Sequence, residues 1–347
     1  MSKTNNNIKI AEETSYDNDI MLTATTTVTL KSALTAGDVK EETSGGGWYG
    51  TTTTYTVTAT STFLGNSALQ RGKIESVTFL TSQAQANSTK WDVSSSGDGS
   101  IMAWYTGSGP YKVYIASNGP MISLPTNSIG FFAYIGYDAS CTATSVINNM
   151  DVVTSSGVTD MRYMFYYTGY QKMTELDLGD NFDTSSVTYT NSSSFMITTH
   201  TSHMNNMFEY CGYNAMTTLH LGKSFNKIMG SYSKYSYGGN VTNSAPSNFV
   251  SNTGKSGACT IYCPTDIYSS STAMKVTTSS GSTTVSYNKV VAYETTPPTL
   301  NVKNTVNNAT YNGAWTGQTV KSVMTFSDTG SGINPSTLAW STDGATW

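Results

Sequence analysis

The chain contains the same structural unit twice. The unit consists of a Met-x-x-Met-Phe segment and a later Leu-x-Leu-Gly segment, and its two copies occupy Val158–Gly179 and Ser202–Gly222. Matched positions such as Met161 and Met204 lie 43 residues apart. A fixed period of this size is typical of proteins built from stacked supersecondary units. The architecture is therefore predicted to be that of a repeat protein.

Each unit is predicted to combine a tight turn with a short strand. Met161, Met164 and Phe165 stand at i, i+3 and i+4 and share one face of a single helical or 3₁₀ turn. Leu176 and Leu178 alternate with acidic residues, which is typical of a strand that buries its leucines. One unit alone leaves an apolar edge on each side, which a neighbouring unit covers by stacking. We therefore expect a short solenoid.

The second unit is interrupted by a polar insertion. Val187 follows Val158 by 29 residues in the same register, yet the next Met-x-x-Met-Phe segment begins 14 residues late. The repeat is interpreted as a 29-residue unit that carries one insertion of 14 residues, around Thr190–His203. Insertions in solenoids form loops on one face, which is often the binding face.

Composition indicates a multi-domain protein of an extracellular surface or a particle. Its 347 residues exceed one ordinary core, and only 12% of them are charged, with a net charge of −4. The 18 Lys and Arg residues are scattered, which argues against binding to nucleic acid. No apolar run reaches the roughly 20 residues of a membrane span, and Met1–Ile10 lacks the apolar core of a signal peptide. We therefore expect no membrane insertion. Three explanations reconcile a surface-like composition with the lack of a signal peptide: the chain is trimmed, it is exported by another route, or it belongs to a phage particle.

Five regions are predicted along the chain: a flexible or docking arm (1–20), an N-terminal β segment (21–72), a repeat domain (73–268, with a leading segment over 73–140 and repeats over 141–268), a closing β segment (269–294) and a partial β-sandwich (295–347). In the N-terminal segment, Met21–Leu30 and Thr51–Ala59 are expected to pair across Gly45–Gly47. Other strands are predicted at Ile74–Leu80, Ile101–Tyr105, Tyr111–Ile115 and Ile129–Tyr134. A hairpin is expected within Lys275–Tyr293, followed by a linker at Thr295–Thr299 and strands at Leu300–Val302, Thr319–Phe326 and Thr337–Ser341.

The repeats resemble those of the BspA-like leucine-rich repeat family. That family has an Asn-Val-Thr-x-Met-x-x-Met-Phe segment, a Leu-x-Leu strand and a Phe-Asp-Thr-Ser turn, which Phe182–Ser186 supplies here. Trp91–Trp104 and Tyr111–Ile115 look like the segment that often precedes such repeats, and the resemblance covers about residues 73–268. It implies a mostly β fold with a short leucine-rich-repeat-like solenoid. It also implies a non-enzymatic adhesion or interaction protein, chiefly of bacterial cell surfaces and sometimes of phages.

The C-terminal residues resemble bacterial Ig-like modules. Phe326–Ile333 and Trp340–Trp347 carry this likeness, which covers about half a module. It implies a partial Ig-like β-sandwich that belongs to a stalk.

Motifs for catalysis or cofactors are not found in the sequence. It has no Gly-x-Ser-x-Gly, no His-Glu-x-x-His and no phosphate-binding glycine loop, and we expect no enzyme activity and no cofactor. His200, His203 and His220 are compatible with a zinc site and with exposed loop histidines, of which the second is the default. Two pairs of aspartates are compatible with calcium binding: Asp92 with Asp98, and Asp328 with Asp343. Ordinary turn chemistry is the commoner role of such residues. Cys141, Cys211, Cys259 and Cys263 are compatible with two disulfides or with buried thiols.

Candidate ligand-binding residues lie in the insertion and in an aromatic run: His200, His203, Tyr166, Tyr167, Tyr170, Tyr210 and Tyr213. Phe165 and Phe208 belong to the core by period, whereas these tyrosines fall on other faces, where tyrosine contacts proteins and glycans at low entropic cost. An exposed binding row and a row that covers the solenoid edge both remain open.

The sequence favours an extracellular, bacterial cell-surface protein that binds a protein or glycan of a host or neighbouring cell. One alternative is a phage fibre or decoration protein on the virion exterior, docked by its N-terminal arm and homo-oligomeric in that case. A further alternative is a set of accessory modules of a larger secreted enzyme.

Overall fold

The computed structural model describes residues 27–33, 39–43, 51–193, 197–235, 242–268, 277–280, 283–286, 289–293, 299–306, 309–310 and 321–327. Within these ranges the chain is mostly β and forms several sheets. The predictions for the arm at 1–20, the glycine loop at 45–47, the linker at 295–298 and the strand at 337–341 lie outside the described residues.

The strands before the repeats are β1 (Val28–Thr29), β2 (Val39–Thr43), β3 (Thr51–Tyr55), β4 (Thr62–Phe63), β5 (Asn66–Gln70), β6 (Ile74–Leu80), β7 (Trp91–Asp92), β8 (Ile101–Thr106), β9 (Tyr111–Ser117), β10 (Ile122–Ser123), β11 (Ile147–Asn148) and β12 (Val153–Thr154). Those of the repeats are β13 (Glu175–Asp177), β14 (Tyr189–Ser193), β15 (Ile197–Ser202), β16 (Thr218–His220), β17 (Ser231–Tyr235), β18 (Thr242–Ser244) and β19 (Thr260–Cys263). The last are β20 (Thr277–Ser280), β21 (Thr283–Ser286), β22 (Lys289–Ala292), β23 (Thr299–Val306), β24 (Ala309–Thr310) and β25 (Lys321–Ser327). The described helical elements are short: 3₁₀ turns at Arg71–Lys73, Met150–Val152 and Lys255–Gly257, and α1 (Thr265–Tyr268).

A five-stranded sheet of order β11-β6-β9-β8-β7 precedes the repeats. β6 and β9 run parallel, and β8 runs antiparallel to β9. Its core residues Val77, Phe79 and Ile115 are fully buried. The strand predicted at Ile74–Leu80 is confirmed with its bounds, and β8 and β9 extend the other two predicted strands slightly. The strand predicted at Ile129–Tyr134 is wrong, because these residues form a series of turns.

Pairing of the N-terminal segment differs from the prediction. β3 lies within Thr51–Ala59, but its antiparallel partner is β2 rather than Met21–Leu30. β1, which belongs to Met21–Leu30, pairs in parallel with β10, and β10 pairs with β12. Burial explains the difference, since Leu30 is fully buried in the same core as Phe63 and Leu124. β2 and β3 are close in sequence, so their pairing costs little loop-closure entropy.

Successive units align their short strands in a parallel sheet of order β13-β16-β19-β22, which we call the strand column. Leu176 pairs with Leu219, Leu219 with Ile261, and Ile261 with Val290. All four side chains are buried, and the acidic neighbours Glu175 and Asp177 are exposed. The predicted leucine strand is therefore confirmed, and its buried side chains form one continuous apolar row.

A second set of segments aligns beside the first, and we call it the turn column: 128–136, 160–169, 203–212 and 247–254. Met161, Met164 and Phe165 are fully buried, as predicted, but they form no helix. The N–H of Met164 donates to the Met161 carbonyl (3.2 Å), a turn bond, whereas the N–H of Phe165 donates to the Met207 carbonyl of the next turn (2.8 Å). Residues therefore alternate between bonds within a turn and bonds to the next turn.

The centre of the turn column is a stack of phenylalanines. Phe165 lies 5.2 Å from both Phe132 and Phe208, with rings inclined by 17° and 2°, and Phe249 meets Phe208 edge on at 5.5 Å. The column thus has a turn before and a turn after the two units found in the sequence.

Arg71 closes the start of the turn column. Its guanidinium is fully buried and donates from Nη1 to the carbonyls of Gly130 (2.8 Å), Phe131 (3.0 Å) and Ala133 (3.3 Å). In the next turn the carbonyls equivalent to those of Phe131 and Ala133 accept backbone N–H groups from the turn before. The carbonyls of the first turn instead accept hydrogen bonds from a side chain, so Arg71 takes the place of the backbone of a preceding turn.

The insertion predicted around Thr190–His203 is the antiparallel hairpin of β14 and β15. The interpretation that only one unit carries an insertion is wrong, because the next unit has its own hairpin of β17 and β18. Just before the first hairpin, the bond from the Thr188 N–H to the Thr159 carbonyl (3.1 Å) joins residues 29 apart. Beyond it, bonds join residues 43 apart, such as the Thr217 N–H to the Thr174 carbonyl (3.0 Å). Both periods predicted from the sequence are therefore present.

The C-terminal strands form two small sheets and complete the strand column. β20 and β21 pair as an antiparallel hairpin, as expected within Lys275–Tyr293, and β22 then joins β19. β23 pairs with β24 and β25 in an antiparallel sheet, which matches the predicted strands at Leu300–Val302 and Thr319–Phe326. Among the described residues, no helix has the length and apolar character needed to cross a membrane.

Candidate functional site

Eight tyrosines gather along one side of the turn column, and we call them the tyrosine face: Tyr134, Tyr137, Tyr163, Tyr166, Tyr167, Tyr170, Tyr210 and Tyr213. All eight are partly buried. The five tyrosines predicted as ligand-binding residues belong to this face and are brought together by it. Tyr134 and Tyr137 are not among the predicted site residues, since the strand prediction covers Tyr134 and no turn is predicted around Tyr137. The signal that identifies them is a Phe-x-Tyr-x-Gly-Tyr motif, which occurs at 132–137, 165–170 and 208–213.

The motif fixes the backbone that presents these rings. Tyr134, Tyr167 and Tyr210 all have left-handed φ angles, of 64°, 55° and 58°. Non-glycine residues seldom adopt this conformation, so its recurrence at the same place shows that packing of the column imposes it. The glycine two residues later is also required, since a Cβ at Gly212 would lie 2.2 Å from the Cβ of Met216.

The rings form two rows that run from turn to turn. In the first row Tyr167 stacks on Tyr134 at 5.3 Å and on Tyr210 at 4.5 Å, with ring planes within 10° of parallel. In the second row Tyr170 stacks on Tyr213 at 5.5 Å and lies tilted against Tyr137 at 5.4 Å. The faces of the inner rings are therefore covered by their neighbours. What the two rows offer to a partner is ring edges and phenol hydroxyls.

Burial changes the acidity of the tyrosine face. Removal from water is the main cause that raises the pKa of Tyr134 to about 12, with smaller contributions from Tyr167 and Tyr137. Burial likewise raises the pKa of Tyr166 and Tyr167 well above the usual value. It also raises the pKa of Glu209, beside Tyr163 and Tyr166. At neutral pH these phenols are uncharged and keep their O–H donors.

We expect the free energy of unfolding to fall at alkaline pH through this face. The pKa of Tyr134 is about 12 in the folded chain against an ordinary value of 10.0, so unfolding releases protons once the pH exceeds about 10. Stability is fully present below pH 10 and is lost progressively toward pH 12. Urea unfolding at stepped pH values checks this. The Tyr134→Phe variant should show a smaller loss above pH 10 than the unmodified chain, and an equal loss would contradict the assignment.

His203 lies at the base of the first hairpin and is engaged there. Its Nδ1 contacts the Thr159 carbonyl (3.0 Å), and its Nε2 contacts the Thr190 hydroxyl (2.7 Å). Because a carbonyl only accepts, Nδ1 carries a hydrogen and donates it to Thr159. His203 therefore ties the hairpin to the turn column and is not presented to a ligand.

The other two histidines lie in separate surroundings. His200, on β15, stacks on Tyr232 at 3.8 Å and meets the edge of Tyr189 at 4.7 Å. His220, on β16, contacts Glu175 through Nε2 (3.2 Å) and stacks on Tyr262 at 4.7 Å. Across the described ranges, no cluster of three or more His, Cys, Asp or Glu side chains is arranged to hold a metal ion.

The aspartates considered for calcium have other partners. Asp92 accepts hydrogen bonds from the Ser94 N–H (2.8 Å) and the Gly99 N–H (2.8 Å). Asp98 accepts one from the Ser100 N–H (2.9 Å). These are turn contacts that organise the loop before β8. Asp328 and Asp343 lie outside the described residues.

The four cysteines are buried free thiols. Burial raises the pKa of Cys141 and Cys263 to about 11 and that of Cys259 to about 12. Cys211 occupies the position of Thr168 in the preceding turn and is fully buried, as the sequence favoured for this residue. The thiols are therefore protonated and shielded at neutral pH, which suits a packing role.

Comparison with protein-family models, with curated proteins and with solved structures finds no match to this chain.

Proposed function

We propose that this protein is a non-enzymatic, surface-exposed binding protein that contacts its partner through the tyrosine face. The observation that carries the proposal is the recurrence of the same two tyrosines in three consecutive turns. In this proposal the strand column and the turn column are two sides of a short, BspA-like leucine-rich-repeat solenoid. The sheet of β23, β24 and β25 is the start of an Ig-like sandwich that belongs to a stalk. The bacterial cell surface is the proposed location.

Register between units supports the solenoid part of this proposal. Leu176, Leu219 and Ile261 pair in line on one side, and Phe132, Phe165 and Phe208 stack in line on the other. Each row extends through several units and buries the apolar edge that a single unit leaves open.

The fixed arrangement of ring edges and hydroxyls on the tyrosine face supports a role in binding. The inner rings of the face are held by stacking on both sides, so little side-chain entropy is lost when a partner binds. Tyrosine is also enriched in protein interfaces, because it combines apolar area with a hydroxyl.

Ring geometry favours a protein partner over a glycan. A sugar ring stacks on the face of an aromatic ring, and the faces of Tyr167 and Tyr210 are covered on the sides that meet each other. Ring edges and hydroxyls instead suit the mixed polar and apolar surface of a protein.

We expect removal of both hydroxyls at the centre of the face to weaken binding about thirtyfold, and removal of either one about fivefold, since each hydrogen bond contributes about 1 kcal/mol. The variants are Tyr167→Phe and Tyr170→Phe, alone and combined, which keep the stacked rings. The assay measures binding of the whole chain to immobilised extracellular-matrix and plasma proteins, and to a glycan array.

The matched control is Tyr262→Phe, a stacked tyrosine of the strand column. It should leave binding unchanged, and circular dichroism should be the same for all variants. Failure to bind any probe counts against the proposal, as does an equal loss in the Tyr262→Phe variant. A preference for the glycan array would contradict the argument from ring faces.

A further inference from the structure

The tyrosine face presents hydrogen-bond donors along both of its rows. The phenols keep their O–H groups at neutral pH, and the edge of an aromatic ring carries partial positive charge. The hydroxyl of Tyr166 hydrogen-bonds to that of Tyr134, within the face. The donors available to a partner include those of Tyr167, Tyr170, Tyr210 and Tyr213. Such a surface favours a partner that is rich in hydrogen-bond acceptors.

Backbone groups of the face are already paired within the turn column. The N–H groups of Tyr134, Tyr167 and Tyr210 donate to carbonyls of the following turn at 2.9, 3.0 and 3.0 Å. In the second row, the carbonyl of Tyr170 accepts the N–H of Asn214 (3.0 Å). A partner that adds a β-strand binds through the open backbone of a sheet edge. These residues offer no such edge.

The donors of the face indicate the backbone conformation of its partner. In a helix the backbone carbonyls are paired internally, whereas in the polyproline II conformation they have no internal partner. Proline also lacks the N–H, so a proline-rich segment has more acceptors than donors. Aromatic-lined surfaces bind such segments at low entropic cost, because the conformation is already formed before binding. A polyproline II segment therefore complements the tyrosine face.

Spacing in the first row agrees with this conformation. The ring centre of Tyr167 lies 5.3 Å from that of Tyr134 and 4.5 Å from that of Tyr210, with the ring planes inclined by 1° and 10°. Polyproline II rises about 3.1 Å per residue with three residues per turn, so carbonyls on one side recur about every 9 Å. The two ring intervals together are close to that repeat. Hydroxyls of the first and third tyrosines thus match carbonyls three residues apart.

A carboxylate beside the tyrosines determines the favoured charge of the partner. Glu209 occupies in the third turn the position that Tyr166 has in the second. It is partly removed from water, and its Oε2 accepts a hydrogen bond from the Asn206 amide (2.5 Å). Among the ion pairs of the described residues, none includes Glu209. A Lys or Arg of the partner would supply the complementary charge.

The cation near the face is already neutralised. Arg162 interacts with Tyr163, but its Nε donates to Oδ1 of Asp160 (3.0 Å) and its Nη2 to Oδ2 of the same carboxylate (2.5 Å). An acidic partner therefore gains little from Arg162, and charge complementarity favours a basic one.

We propose that the tyrosine face binds a proline-rich segment in the polyproline II conformation, and that a Lys or Arg beside the proline run pairs with Glu209. This inference rests on the proposed function and narrows it to one class of partner. The phenol hydroxyls donate to carbonyls of the segment, and the carboxylate selects segments that carry a positive charge.

The first experiment measures fluorescence anisotropy of labelled peptides titrated with the full chain. The probe is ten prolines followed by one arginine. Two comparison peptides keep the arginine and replace the prolines with alternating Gly and Ser or with alternating Thr and Val. The proline peptide should bind at least about fivefold tighter than either, since it is ordered before binding. Equal or tighter binding of a comparison peptide, or no binding of the proline peptide up to about 1 mM, overturns the proposal.

The second experiment tests Glu209 with two proline peptides, one that ends in arginine and one that ends in alanine. Glu209→Gln should weaken binding of the arginine peptide about fivefold and leave that of the alanine peptide unchanged. Glu175→Gln, which removes an exposed carboxylate of the strand column, is the matched control and should change neither. An equal effect of Glu209→Gln on both peptides contradicts the ion pair.

The third experiment tests the hydroxyls and separates this inference from the proposed function. Tyr210→Phe and Tyr213→Phe should each weaken binding of both proline peptides about fivefold. Proline peptides that bind these variants as tightly as the unmodified chain must bind elsewhere, which overturns the inference. Suppose instead that binding to the panel of matrix and plasma proteins falls in Tyr167→Phe and Tyr170→Phe chains while proline peptides show no preference. The inference then fails and the proposed function stands.

Discussion

Replacement of Arg71 with methionine is expected to lower the free energy of unfolding by about 3–5 kcal/mol. The guanidinium donates to the carbonyls of Gly130, Phe131 and Ala133 and, through Nη2, to that of Ala33 (2.7 Å). Methionine fills most of the volume but supplies no donor, so these buried carbonyls lose their charged partner. A hydrogen bond to a charged group contributes about 1.5–3 kcal/mol, and an unsatisfied buried acceptor costs about 1–3 kcal/mol.

Two further variants separate donor geometry from charge. Arg71→Lys keeps the charge but lacks the planar fork, and it should recover less than half of the loss. Lys73→Met is the matched control two residues away, because Lys73 pairs with Asp138 in a solvent-exposed ion pair that contributes at most about 1 kcal/mol. Urea unfolding measures all three. A loss below about 1 kcal/mol for Arg71→Met would show that the first turn needs no such cap.

Replacement of Phe165 with alanine is expected to lower the free energy of unfolding by about 3–5 kcal/mol, the usual range when a buried phenylalanine is replaced with alanine. Phe165 is fully buried and is the middle ring of the stack, with Phe132 and Phe208 on its two faces. Its loss leaves a cavity and also removes two aromatic contacts, each contributing about 0.5–1.5 kcal/mol.

Phe165→Leu should cost less, about 1–1.5 kcal/mol, because most of the volume is kept. Tyr268→Ala, at a side chain that is 45% exposed, is the control and should cost under about 0.5 kcal/mol. Amide hydrogen exchange of Phe165→Ala should show loss of protection at Tyr167 and Phe208, in the same turn and the next. Protection lost first in β6 and β9 would contradict the view that the stack holds the turns together.

Apolar spacing predicted the parts of the fold in which side chains alternate or recur. Leu176 and Leu178 are buried with the exposed Asp177 between them, and Met161, Met164 and Phe165 face the core. Ile74–Leu80 was also predicted with its bounds. In each case burial of a regular row of side chains decides the structure, and such a row is visible in the sequence.

Irregular backbone was not predicted, because its cause lies in neighbouring units. Ile129–Tyr134 has the apolar content of a strand, yet the left-handed φ of Tyr134 and bonds to the next turn make it a turn segment. The same oversight removed Tyr134 and Tyr137 from the predicted site. The hairpin of β17 and β18 was missed for a related reason. Its residues are mostly Ser, Thr, Asn and Tyr, as in the first hairpin, and such residues carry no apolar period. Its existence depends on pairing with β15 rather than on its own pattern.

Because every turn bonds to the next through the same backbone positions, the column can change length by internal duplication. Arg71 caps the first turn, and β22 follows β19 at the far end of the strand column. A turn copied into the middle would leave both ends as they are. It would add a tyrosine to each row and, where the copied unit carries a hairpin, a further pair of strands to the sheet of β14, β15, β17 and β18. A change in the length of the tyrosine face would then require one recombination event and no change to the packing of the core.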